Sequence, residues 1–355
     1  MVLLALMTGC SSNPLSVKPP TIEPAQAAES PPASVNPAGA VRPLGGHPQA
    51  AVFDSATHQL AVLSPGSDPS APASIALFGD SQVTVTLPGP ATALAADDHG
   101  SIYLAARGCY FVVDLAAAHA TQVNVAEAQQ VQFTAIARRA DGKLVLGSAD
   151  GTVYTLASAT TIGNRIKIFA RVDSLVTQGN TTAVLDRGQT SLTTIGADGH
   201  VEQALRAGEG ATNMASDPLG RILVADTRGG ELLVYGCCSP RTPLLLRQAY
   251  PVRQAPFGLA GSRGLSWVSQ TASNTVIGYD LSTGIPLEKV RYPTVRQPNS
   301  LAFDEASDTL YVVSGSGAGV QVIEHAAGPQ RGCRWGGIPT CPTNTSGCRC
   351  ACRRT

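Results

Sequence analysis

One short strand phrase returns along this chain at a nearly constant spacing, and that spacing limits the fold more than any other feature. It is read at Leu60 to Leu63, Ile102 to Leu104, Leu144 to Leu146, Thr182 to Leu185, Ile222 to Val224, Leu265 to Val268 and Leu310 to Val313, with starting positions that step by 42, 42, 38, 40, 43 and 45 residues. A turn signal precedes most copies, as in Asp98-His99-Gly100, Asp141-Gly142, Gly179-Asn180, Pro218-Leu219-Gly220 and Arg263-Gly264. Such residues close tight hairpins because they tolerate the backbone angles a two-residue reversal needs. A further strand follows each copy, from Ile75 to Phe78 in the first unit to Val320 to Ile323 in the last.

A period of roughly 40 residues with about four strands per unit is the signature of a β-propeller blade, each sheet burying both faces against its neighbours. The chain is therefore expected to be all-β, a seven-bladed propeller, with six or eight blades as the alternatives. A β-sandwich gives no reason for turn chemistry to recur on a fixed period. The last unit supplies only three strands before the pattern stops. Its fourth is found at the other end: Val41 to Asp54 reads like Val85 to Asp97 and Tyr292 to Asp304, each an outer strand, a loop and the next innermost strand. Val41 to Leu44 should close the ring, since an unpaired edge strand invites aggregation.

Ahead of this domain, Val2 to Met7 are all apolar and Met7-Thr8-Gly9-Cys10 matches a lipobox, in which small residues let a peptidase close on the backbone before an acylated cysteine. Residues 1–9 are expected to be a lipoprotein signal peptide. It is shorter than the usual leader and lacks a basic n-region, so a start upstream of Met1 is expected. Cys10 is the expected lipidation site, and the two or three acyl chains such a cysteine carries hold a protein stably at a membrane. Residues 10–39 are rich in Pro, Ala and Ser, a composition that buries too little apolar area to offset its ordering entropy. They are expected to be a disordered spacer that, at about 3.1 Å per residue, could hold the domain up to roughly 90 Å from the membrane.

The domain boundaries expected are 40–325 for the propeller and 326–355 for a Cys- and Arg-rich tail. The nine cysteines are Cys10, Cys109, Cys237 and Cys238, plus Cys333, Cys341, Cys348, Cys350 and Cys352 in the tail. The abrupt composition of residues 329–355, without one acidic side chain, reads as a shifted reading frame. A disulfide-bonded tail and a thiolate metal knuckle are the alternatives, though the spacing lacks paired C-x-x-C. Blade order puts Cys109 and the Cys237-Cys238 pair on opposite faces, so a bridge between them is not expected.

Charge excludes one class of partner. Lys+Arg and Asp+Glu number 25 each, so there is no field to gather phosphate backbones, and nucleic acid is not an expected partner. Ligand sites in propellers cluster where the innermost strands begin. The blades align Gln49, Thr92, Thr134, Ser174, Asn213, Gly258 and Asn299 at those positions, all neutral and mostly small. Metal-assisted hydrolysis would need carboxylates or imidazoles there, and only Asp173 lies close. Loops of the same face carry Arg107, Asp150, Asp186, Arg187, Asp226, Arg228 and Asn274, which could recognise a polar ligand, although Asp and Arg beside Gly are also ordinary turn residues. The six histidines form no ligand spacing. Gly79-Asp80-Ser81 lacks the helix and the paired Asp-x-x-His that a hydrolase block requires. No cofactor and no metal are expected.

The phrases Leu310-Tyr-Val-Val313 and Val276-Ile-Gly-Tyr-Asp280 resemble blades of bacterial extracytoplasmic propellers of the NHL or YVTN type. The lipobox, Pro20 to Pro24 and the blades through His325 also resemble a family of conserved mycobacterial lipoproteins, from which Cys237 to Thr242 and the chain after Gly328 depart. The resemblance implies a lipid-anchored envelope protein without an assigned activity. The expected function is thus a binding or scaffold module, tethered to membrane lipid through Cys10 and taking an envelope protein or glycan partner. The alternative is an extracytoplasmic hydrolase, lactonase or lyase at the channel mouth.

Overall fold

The structure is a computed structural model that describes residues 19–238 and 243–328. The strands form seven antiparallel sheets of four, six of them built from strands consecutive in the chain. Numbered from the N-terminus, blades one to six span residues 50–86, 93–124, 133–167, 174–206, 211–251 and 256–293. Blade seven takes three strands from 298–323 and its outermost from Ala40–Arg42, which pairs Ala40 with Val322 and Arg42 with Val320. The expected closing strand is present, displaced slightly toward the N-terminus. No α-helix occurs among the described residues.

Burial follows position within the blade. The second strands Leu144–Ser148 and Ser266–Gln270 are buried at every residue, because a sheet packed on both sides has no solvent face. The outer strand Ile162–Lys167 alternates between half-buried and exposed side chains. The apolar core is correspondingly divided into seven clusters, each between two adjacent blades. Between blades one and two, Leu63, Ile75, Ile102 and Leu104 are fully buried, and each such side chain contributes about 1.5–3 kcal/mol. The cluster of Phe53, Leu60, Phe78, Val313 and Val320 joins blade seven to blade one and seals the ring.

On the face where inner strands turn into second strands, several turns are tied to the next blade's. Asp54 accepts from the Gly100 amide at 3.0 Å, and Asn180 accepts from the Asp141 amide at 2.8 Å. The Gly79-Asp80-Ser81 stretch is a bend between two adjacent strands of blade one. Cys109 is the first residue of the strand Cys109–Asp114, where its thiol is buried and free, and burial pushes its pKa up. Cys237 and Cys238 are joined to each other and follow the strand Glu231–Gly236.

Residues 19–39 fall within the expected spacer. The segment is laid against the ring, where Ala25 and Ser30 are buried. Pro and Ala supply too little apolar surface for it to fold alone, but side chains of the ring satisfy its backbone groups, and this replaces the missing core. The signal peptide, Cys10, residues 11–18 and the tail cysteines lie outside the described residues.

Candidate functional site

The positions aligned at the inner-strand starts are neutral, and several are committed to their neighbours. Thr92 Oγ1 donates to the Phe133 carbonyl at 2.8 Å, and Thr134 Oγ1 to that of Val172 at 2.5 Å. Asn213 Nδ2 donates to the Phe257 carbonyl at 3.1 Å, and the Gly258 amide donates to Ser269 Oγ at 2.8 Å. Asn299 Oδ1 accepts from Gln297 at 3.1 Å. Each of the first three links crosses to the next blade, so these side chains stitch the ring rather than await a ligand. Gln49 is exposed and Ser174 half-buried at the same level.

Two loop carboxylates named from sequence are also structural. Asp186 is fully buried and accepts from the amides of Ala170, Arg171 and Gln189 at 2.7, 3.2 and 3.0 Å. Asp226, 1% exposed, does the same for Glu209, Gly210 and Gly229 at 2.8, 2.8 and 3.0 Å. In each case a loop of one blade is fastened to the connection that enters it. Asp150 is exposed and pairs with Lys167 at 3.1 Å. Partial burial opposes its ionisation, but hydrogen bonds from Ser148 and Lys167 outweigh it and hold the carboxyl below its usual range.

The N-terminal strap occupies one half of the same face. The Ile22 amide donates to the Gly188 carbonyl at 2.8 Å, Arg228 reaches the Glu23 carbonyl at 2.7 Å, and Arg187 donates to that of Ala25. Farther along, Gln297 brackets Ser30 and Ala28 at 3.0 and 2.9 Å, and Asn274 donates to the Pro31 carbonyl at 2.8 Å. Arg296 pairs with Glu29 at 3.2 Å. The strap thus runs over blades four to seven before becoming the closing strand. Three of the candidate binding residues, Arg187, Arg228 and Asn274, hold this strap.

The other half, over blades one to four, is a cavity of about 870 Å³ whose wall includes Gln49, Arg107, Gln132, Arg171, Asp173 and Arg187. Arg107 donates to Gln130 at 2.7 Å and is otherwise open to solvent. Arg171 Nε meets Asp173 at 3.0 Å, and the other Asp173 oxygen accepts from the Arg187 amide at 2.8 Å. Burial raises the Asp173 pKa despite this amide and both arginines, and burial lowers that of Arg187. The Nε of Arg187 is buried without a hydrogen-bond partner. The sequence reading missed Arg171 and Gln132; the signal was an arginine two residues ahead of Asp173 in a loop already placed on this face. No group of three or more His, Cys, Asp or Glu among the described residues could hold a metal ion.

Fold and face together define a seven-bladed β-propeller with a strapped channel mouth. Among solved structures it is similar to a streptogramin B lyase, at TM-score 0.63 and 10% identity over 81% of this chain and 96% of that one. It is likewise similar to virginiamycin B lyase from Staphylococcus aureus, at 0.64 and 9% over 80% and 99%, and to the RRP9 WD40 repeats, at 0.63 and 14% over 81% and 98%. At such identities the likeness establishes the fold alone. No protein-family model matches the chain, and neither does any curated protein.

Proposed function

We propose that this chain is a lipid-anchored, extracytoplasmic β-propeller that serves as a binding or scaffold module in the cell envelope, taking a protein or glycan partner at the uncovered half of its channel mouth. The observation that carries the reading is the division of that face. Thr92, Thr134 and Asn213 of the ring and the strap-holding Arg228, Asn274 and Gln297 are engaged by hydrogen bonds within the chain, whereas the cavity over blades one to four presents Gln49, Arg107 and Gln132 to solvent. A catalytic alternative would draw on Asp173, whose oxygens are engaged by Arg171 and by the Arg187 amide.

The test is affinity capture of the tethered protein from membranes, with the wild-type chain beside a variant carrying Gln49→Ala, Arg107→Ala and Gln132→Ala. A specific envelope protein or glycan retained by the first and lost by the second is expected. Identical capture by both chains would overturn the assignment of the partner to this face.

A further inference from the structure

We propose that the uncovered half of the mouth is a binding site for an oxyanion, a phosphate or carboxylate group, read by Arg187 with Arg107 and Arg171. This rests on, and sharpens, the binding reading above. Five of the observations converge. Three guanidinium groups line one cavity, while its carboxylates are two, Asp68 and Asp173. Asp68 is exposed, and its Oδ1 is held by its own turn, accepting from the amides of Ser70 and Ala71 at 2.9 and 3.0 Å and from Ser70 Oγ at 2.6 Å. Asp173 is consumed by Arg171 and the Arg187 backbone. Arg107 keeps all but one of its donors for solvent, and Arg187 keeps a buried Nε with none.

A guanidinium has five N–H donors in a planar fork and no acceptor. Arg187 lines the same cavity, and the one hydrogen bond its guanidinium makes is from Nη2 to the Ala25 carbonyl; a donor left unpaired on burial costs about 1–3 kcal/mol, a deficit the fold itself does not meet. Asp173, locked on the other side, cannot turn to meet it without abandoning the Arg187 amide. An oxyanion presents two or three acceptors to such a fork and removes the excess positive charge of the wall. That Ala25 carbonyl belongs to the strap, so seating of the strap fixes the guanidinium that the ligand would meet.

The experiment titrates the full chain at low ionic strength with inorganic phosphate by calorimetry, and with vesicles of phosphatidylglycerol against vesicles of phosphatidylcholine by co-sedimentation. Saturable binding is expected, weakened by about tenfold or more in Arg107→Gln and in Arg187→Gln, and unchanged in Arg263→Gln, which sits at a turn on the opposite face. Phosphate binding alone marks a soluble ligand; arginine-dependent binding to phosphatidylglycerol vesicles marks a lipid headgroup. The side-chain hydrogen bond of Arg107 is to Gln130 and none is to the strap, so its variant keeps the test sound if Arg187→Gln unseats the strap. Absence of saturable binding to either probe, or binding indifferent to both arginines, would overturn the site. Loss of the site with partner capture intact would leave the binding-module reading standing; the reverse result would remove that reading alone.

Discussion

Single buried carboxylates carry much of the order of the channel face. Asp226 satisfies three backbone amides at once, and Asp226→Ala would leave all three without an acceptor in a site with little room for water. A loss of about 3 kcal/mol is expected in denaturant unfolding; a loss below about 1 kcal/mol would show that the loop holds its shape unaided. Asp173 offers a test in pH. Burial raises its carboxyl above the usual 3.8, so the folded chain binds that proton more tightly than the unfolded one. Its contribution to stability is therefore full below the unfolded value and is lost as pH rises through the folded value. Asp173→Asn removes that dependence, so thermal unfolding of the variant should improve relative to wild type as pH rises above 3.8; a difference that stays constant with pH would refute the direction.

At the scale of elements, closure of the ring and seating of the strap are one continuous event, because the strap leads directly into the closing strand. Gly39 joins them at φ +70°, where an added side chain would overlap the Val322 carbonyl. Gly39→Val should therefore pull the strand Ala40–Arg42 off blade seven, lowering the melting temperature and exposing the edge of Val320–Ile323 to aggregation. A variant that melts and stays monomeric like wild type would mean the ring closes without this strand. Gln297 holds the strap from the ring side. In Gln297→Ala, amide exchange at Ser30 should accelerate by about tenfold or more while the strand Phe133–Arg138 is unchanged; equal protection in both chains would mean that the strap is held elsewhere.

For the whole molecule, seating of the strap changes the distance at which an anchor at Cys10 would hold the ring. From Cys10 to Ile22, the first strap residue bonded to the face, the chain advances 12 residues, which reach at most roughly 40 Å, against roughly 90 Å for a spacer free to Gly39. Cys10→Ala should shift the protein from the membrane fraction to the soluble one, and unchanged retention would refute the anchor. The number of blades, their all-β character and the closing of the last blade by the N-terminal strand were legible in the sequence, because each blade writes its own alternation and turns within about 40 residues. The division of the mouth was not. Its contacts join Ser30 to Gln297, 267 positions apart, and a Pro/Ala-rich stretch has no periodicity to announce them. Thr92, Thr134 and Asn213 read locally as candidate ligand contacts and became interblade stitches only when the next blade's carbonyls were brought beside them. Hydrophobic patterning is a property of neighbours in the chain, so the sequence determined the ring. Which polar groups remain free depends on partners supplied across the closed ring, and that only the tertiary structure decided.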